Sequence, residues 1–341
     1  MPNSYDAIFL IAFGGPSRSE DIRPFLDRVT QGVAIAPTRL EEVARHYEAV
    51  GGKSPLNEIT FRQANALSNV LTGRLPVYVG MRNASPFFNE TLKQMADDGI
   101  RRALGFILSS HRSEASWERY QQNIADARLQ LGATSPQVDY CSGWHDHPLF
   151  IQSWVERIQE VLQKTVSYGR QSPPLIFTAH SLPKAMAARS PYVEQLETSA
   201  RLIADKLKLQ RWSLAYQSRS GKPSDPWLEP DISQAFRDCA ANGEKQIIVA
   251  PIGFVCDHVE VLYDLDIEAK QIAADLGIDL SRVSCPNDHP TFVAMMADVI
   301  ENHIKQAEGF FFGKFSDTMR SREARDTAAD DYHALHQSAG R

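Results

Sequence analysis

The sequence predicts an α/β protein of two similar lobes, each a four-stranded parallel sheet flanked by helices, with a cleft between the lobes. Three observations carry this. Eight short apolar runs recur along the chain, amphipathic stretches of helical period separate them, and a polar, Pro-containing segment divides the series four and four.

The N-terminal runs are DAIFLIAF (6–13), PVYVGMR (76–82), ALGFILSS (103–110) and QVDYCSG (137–143). Their apolarity is nearly continuous, as in strands buried on both faces, rather than alternating as in a half-solvated sheet. After the first run, Ser17-x-x-Glu20 and Thr38-x-x-Glu41 have the form of capping boxes, in which a hydroxyl and a carboxylate satisfy free N–H groups at a helix start. Gly51-Gly52 marks the end of the second of these helices. The C-terminal runs are PLIFTAH (174–180), SLAYQSR (213–219), QIIVAPIG (246–253) and SRVSC (281–285), and a helical period over 290–307 closes the ordered part. Strand and helix alternating in this way give parallel sheets with right-handed crossovers. SYGRQSPP (167–174) is the connection, so the predicted lobes are 1–165 and 166–310. Residues 311–341, charged and poor in large apolar side chains, read as a flexible tail. No short repeat relates the halves, whose likeness is architectural.

Composition excludes several classes. A net charge of −6 and a pI near 5.9 argue against a nucleic-acid partner, which needs a basic excess or stripe. The start, MPNSYDAIFLIAFGG, lacks a basic leader, and no run approaches the ~18 apolar residues of a membrane span. Cys141, Cys239, Cys256 and Cys285 are scattered without a CxxC, as in a cytosolic protein with reduced thiols. A cytoplasmic protein with no stable membrane anchor is expected.

Ligands of open α/β sheets collect outside the carboxyl ends of the strands. Applied to both lobes, that rule lines a cleft with Phe13, His111, Ser113, His180, Gln217 and Glu260. A neutral imidazole at His180 can accept a proton near pH 7 or ligate a metal. GFVCDHVEVLYDLDIEAK (253–270) adds five carboxylates, of which Glu260, Asp264 and Glu268 recur every fourth residue. Each α-helical step of four turns only about 40° further, so the three share one face. Like charges so placed repel by roughly a few tenths of a kcal/mol per pair, which points to a cation in front of them. Imidazole with carboxylate suits a divalent metal of the Fe, Co, Ni or Zn group. Strung over two turns, the acids do not close one shell; they make a chain of weak sites for a cation or for protons. Weaker features are HDHP (145–148), read as surface, and Trp227, read as a packing anchor. GGKSPLNE (51–58) lacks the GxxxxGK[ST] spacing of a phosphate loop, and HRSEASW (111–117) lacks a nucleophile turn.

Together, FGGP, YEAVGGKSPLNE, FTAHSLP, YQSRSGKPSDPWLEPD and PIGFVCDHVEVLYDLDIEA resemble the ferrochelatases, which insert ferrous iron into a porphyrin. The resemblance spans about residues 5–308. It implies two Rossmann-like, chelatase-like lobes and Fe²⁺ insertion with release of two protons, in haem biosynthesis. It implies that His180 and Glu260 are catalytic, beside the point of metal insertion. Asp264 and Glu268 would extend the metal-binding set as an acidic ladder. Ser54 and Tyr120 match porphyrin contacts, and Phe13 stands where some members carry a tyrosine able to reach iron; a phenyl ring cannot ligate. Some bacterial members place propionate-binding arginines at the positions of Thr30 and His46. This chain lacks both, leaving Arg82, Arg112 or Lys53. The wording FGGP, QSRSG and DLDIE is similar to actinobacterial coproporphyrin III enzymes. The segment 29–50, which mixes charge with modest apolarity and has no run of large exposed hydrophobes, favours that soluble substrate together with the lack of an anchor. The alternatives are protoporphyrin IX as substrate, or a non-catalytic haem carrier. No cysteine follows Cys285, so the iron–sulphur cluster of some relatives is not expected, nor is an organic cofactor. The expected partners are the porphyrin, Fe²⁺ and, transiently, neighbouring haem-pathway enzymes.

Overall fold

Eight strands form where the eight apolar runs stand. The computed structural model describes residues 4–32, 36–165, 172–220 and 225–308. Most of the predicted connection (166–171) and the tail beyond 308 lie outside the described residues. The strands are β1 (Ala7–Ala12), β2 (Val77–Met81), β3 (Arg102–Ile107) and β4 (Gln137–Tyr140), then β5 (Leu175–His180), β6 (Trp212–Gln217), β7 (Gln246–Ala250) and β8 (Asp279–Arg282). All pairings are parallel, and the two sheets have the same order, β2-β1-β3-β4 and β6-β5-β7-β8. Register brings His180 beside Gln217 at the carboxyl ends of β5 and β6.

Three local expectations are corrected. The last strand lies at 279–282, not 281–285: Val283 still donates to Val249, but the backbone N–H of Cys285 turns to the Asp257 carboxylate. Neither capping box forms. The Ser17 hydroxyl accepts from Asn57 instead, and the Pro37–Ala49 helix opens on Pro37, whose missing N–H needs no cap. A true side-chain cap occurs at Asp231, which accepts from the N–H of Ser233. As read, Gly51 and Gly52 end the Pro37–Ala49 helix; both have positive φ, and Gly52 donates back to Tyr47.

The halves also share a short sequence repeat that the reading missed. Asp-His-Pro-x-Phe occurs at 146–150 and at 288–292, each time at the head of its lobe's last helix, Pro148–Thr165 and 290–308. In each copy the histidine Nδ1 accepts from the N–H two residues on, at Leu149 and at Thr291. Each histidine also meets an acid of the other helix, His147 Nε2 on Asp298 at 2.9 Å and His289 on Glu156 at 3.5 Å. HDHP is therefore a half-buried cap and cross-tie, not surface.

These helices are exchanged between the lobes. Pro148–Thr165 packs on β8 and on the Tyr192–Leu207 helix, while Tyr5 reaches His303 on the closing helix. Phe150 and Phe292 meet with Trp144 between them, and one apolar core runs from Ile8 and Leu10 through Trp154 to Phe177 and Val249. A shared core predicts shared unfolding. Phe292→Ala should cost about 3–5 kcal/mol and leave a single transition. Thermal melts monitored by tryptophan fluorescence and by far-UV dichroism should coincide; separate transitions would contradict the shared core.

Candidate functional site

The carboxyl ends of β5, β6 and β7 converge on His180 and Glu260. His180 Nδ1 lies 2.6 Å from the carbonyl of Ser181, which can only accept, so Nδ1 carries the proton. In the neutral ring the lone pair is then on Nε2, and this atom lies 3.9 Å from a carboxylate oxygen of Glu260. The Tyr192 hydroxyl donates to the His180 carbonyl at 3.0 Å, and Gln217 donates to the Glu260 carbonyl at 2.8 Å. Both side chains stay partly open, 28% for His180 and 49% for Glu260, which leaves the pair reachable. Gly253 makes the approach possible: a Cβ there would sit 2.6 Å from the Cβ of Ala179. The loop after β7 thus passes hard against the residue preceding His180.

The acidic series stands on a helix of mixed pitch. Val259–Tyr263 is α-helical, Asp264–Ala269 is a π-helical turn, and Lys270–Asp275 is α-helical again. With about 4.4 residues per π turn, a step of four falls roughly 30° short of a full turn, where the α step overshoots by roughly 40°. The two deviations cancel, so Glu260, Asp264 and Glu268 line up more closely than one α-helix would allow. The first lobe carries a π turn at the equivalent place, Glu114–Glu118 after β3, leading into Tyr120.

Asp264 is half-buried, and its carboxyl is pushed up to about 7. Burial is the main cause; Glu260 and Glu268 add to it, while a short bond from the Ser218 hydroxyl opposes it. Ser218 reaches this carboxylate from a left-handed backbone, φ 61°. Glu268 is exposed along one side of the helix, yet partial desolvation still raises its carboxyl, with Arg39 opposing. Because the folded value of Asp264 lies above its ordinary 3.8, the stability it contributes is full below that pH and is lost as pH rises through about 7. Asp264→Asn removes this titration. The Tm difference between variant and wild type should grow in the variant's favour from pH 4 to pH 8; a pH-independent difference would contradict a raised Asp264.

The remaining predicted residues divide. Tyr120 is buried against Phe88, feels the charges of Arg82 and Glu260, and has its hydroxyl raised above the ordinary range by burial. Phe13 touches all three apolar clusters and packs edge-on to Phe25 at 6.2 Å. Ser54 is buried, and its Oγ accepts from the N–H of Leu56 while no acceptor takes its hydrogen among the described residues. His111 and Ser113, expected on the cleft, are buried. The His111 ring is held by Ser110 and, across the lobes, by Ser199, and burial lowers it to about 3, which makes it a neutral structural tie. Thr30 closes its helix onto Leu26, and His46 stacks on Tyr263 at 3.7 Å. Lys53 and Arg112 are paired with Glu58 and Glu118. Arg82 has no carboxylate partner among the described residues, and burial lowers its pKa.

Two residues escaped the sequence reading. His258, at the head of the Val259–Tyr263 helix, stands edge-on to Phe254 with a buried, unpartnered Nδ1. Its signal was present as the DHVE spacing, two residues before Glu260. Ser218 gave none, because its contact with Asp264 spans 46 residues. Trp227 is buried, as expected of an anchor. A cavity of about 510 Å³ beside the end of β6, lined by Tyr216, Arg219, Asp231 and Arg237, includes none of the predicted site residues. Among the described residues no three His, Cys, Asp or Glu side chains close into a metal shell, and no helix is long and apolar enough to cross a membrane. His180 with Glu260 can hold a passing cation or accept a proton, and the half-buried Asp264 and exposed Glu268 further along the helix can pass charge to the surface.

Comparison with known proteins bears on the fold and the family. The solved structure of SirB from Bacillus subtilis with Fe³⁺ superposes with a TM-score of 0.55 at 9% identity, covering 89% of this chain and 97% of that one. At such identity the likeness concerns the fold alone. A ferrochelatase from Rhodopirellula baltica is 39% identical over 88% of this chain and 86% of its own length. A coproporphyrin III ferrochelatase from Mycolicibacterium smegmatis is 39% identical over 87% of this chain and 89% of its own, and one from Nocardia farcinica is 38% identical over 88% of each. The family model described as Ferrochelatase matches residues 5–304, and the chain belongs to the ferrochelatase family.

Proposed function

We propose that this enzyme inserts Fe²⁺ into coproporphyrin III and releases two protons, with His180 and Glu260 at the ring centre. The observation that carries this is Nε2 of His180 facing the Glu260 carboxylate at 3.9 Å, with the raised Asp264 four residues further along the same helix. Pyrrole N–H groups are very weak acids, so insertion needs both a cation ligand and a proton acceptor close to the ring. His180 and Glu260 supply both, in competition for the same lone pairs. Asp264, near 7, takes and gives protons at physiological pH, and Glu268 continues the path outward.

On this reading Tyr120, Phe13 and Ser54 contact the macrocycle, and Arg82 receives a propionate. Arg82 replaces the missing arginines because it alone of the three candidates has no carboxylate partner among the described residues. The tetracarboxylate substrate is supported by the names of the Mycolicibacterium and Nocardia relatives. A soluble substrate suits action in the cytoplasm, with transient hand-over to neighbouring haem-pathway enzymes. No organic cofactor is required. Cys141, Cys256 and Cys285 are buried, and burial raises their thiols, which disfavours the thiolates an iron–sulphur cluster needs.

The test is anaerobic Fe²⁺ insertion followed by absorbance, with coproporphyrin III and protoporphyrin IX offered in parallel to wild type and Arg82→Gln. Turnover of coproporphyrin well above protoporphyrin, with a raised KM for coproporphyrin in the variant, is expected. Preference for protoporphyrin would overturn the substrate. Tight binding without insertion would instead make the protein a carrier.

A further inference from the structure

The segment bearing Glu260 and Asp264 is gripped by one largely covered arginine. Arg282, the last residue of β8, is only 12% exposed and meets two carboxylates at once. Its Nη1 donates to Asp257 at 2.8 Å, and its Nε and Nη2 donate to Asp266 at 2.9 Å each. Asp257 is held in turn by the Asn287 side chain at 2.7 Å and by the N–H of Cys285, and Lys270 stands 3.5 Å from Asp266. Asp257 lies just before the helix and Asp266 lies inside the π turn. The guanidinium therefore staples the two ends of the stretch that carries Glu260 and Asp264.

We infer that Arg282 is a positioning residue for metal insertion, which holds the π turn and with it the line of Glu260, Asp264 and Glu268. A π turn keeps its form only where its surroundings impose it. Relaxed to α-helix, this one would swing Glu268 by roughly 70° relative to Asp264. Buried ion pairs contribute little net stability against well-packed neutral side chains, so stability alone does not account for a guanidinium fixed on two acids here. The inference rests on the roles proposed for Glu260 and Asp264.

The experiment compares wild type, Arg282→Lys, Asp266→Asn and Glu260→Gln in three measurements: KM and kcat for Fe²⁺, Kd for coproporphyrin III by fluorescence quenching, and Tm. Arg282→Lys keeps the charge but cannot bridge both acids. Asp266→Asn leaves the Asp257 arm intact and covers the case in which the first variant fails to fold. Both should lower kcat/KM for Fe²⁺ by about 10- to 100-fold, the usual cost of losing a group that orients a metal-binding side chain, with porphyrin Kd within about 3-fold of wild type. Wild-type iron kinetics in both, beside an inactive Glu260→Gln, would overturn the positioning role alone. Parallel losses of porphyrin binding, iron kinetics and Tm, or failure of both variants to fold, would mean a structural role and overturn it too. An active Glu260→Gln would instead sink the site assignment beneath it.

Discussion

Glu260→Gln should lower kcat for iron insertion by about 100- to 10,000-fold while porphyrin Kd changes by less than about 3-fold. The size of the effect follows from position. Glu260 is the carboxylate that meets Nε2 of His180, and Gln217 holds its backbone from the neighbouring strand end. The amide is isosteric and keeps the packing, but it neither accepts a pyrrole proton nor carries the charge that draws Fe²⁺ in. Half of the side chain is already open, so its neutralisation leaves no buried group stranded, and Tm should move little. Steady-state insertion assays beside fluorescence-quenching titrations check this. A comparable loss of porphyrin binding would mean that Glu260 shapes the cleft instead of serving the metal.

Gly253→Ala is the second large effect, and it works through geometry. The added methyl would lie 2.6 Å from the Cβ and 2.7 Å from the Cα of Ala179, and the backbone at this point also donates to Thr178. Neither neighbour is a flexible side-chain tip, so the loop and the end of β5 must part. Overpacking of this kind costs about 1–3 kcal/mol. Separation of the His180 and Glu260 supports by even ~1 Å should cost about 100-fold in kcat. Thermal melts with insertion kinetics test both. An active, fully stable Gly253→Ala would show that the contact between the β7 loop and β5 does not set the distance from His180 to Glu260.

The strands are legible in the sequence as short apolar runs and all eight form, although only β1, β3, β5 and β7 are buried nearly throughout while the edge strands β4 and β8 are largely open. The last one is misplaced because Val283, Ser284 and Cys285 continue the run after Asp257 has taken the Cys285 N–H. His180 is legible from its strand end, and the acidic series from its spacing of four. The alignment of that series is not, because a π turn depends on anchors such as Arg282 and Ser218 from distant segments. His111 misleads for the same reason: it follows β3 at a carboxyl end, but Ser199 of the other lobe encloses it. The exchanged helices account for the rest. Counting lobes along the chain places Pro148–Thr165 with the first sheet, whereas its contacts lie with β8 and the Tyr192–Leu207 helix.

The central claim is that His180 and Glu260 act as one unit on the metal. It is tested most directly by single-turnover Fe²⁺ insertion into enzyme-bound coproporphyrin III, measured for His180→Ala, Glu260→Gln and the double variant. Residues that act as a unit lose function together, so the double variant should be no slower than the slower single variant by more than about 3-fold. Multiplying losses would mean two independent roles, and an unimpaired insertion rate in either single variant would contradict the pair.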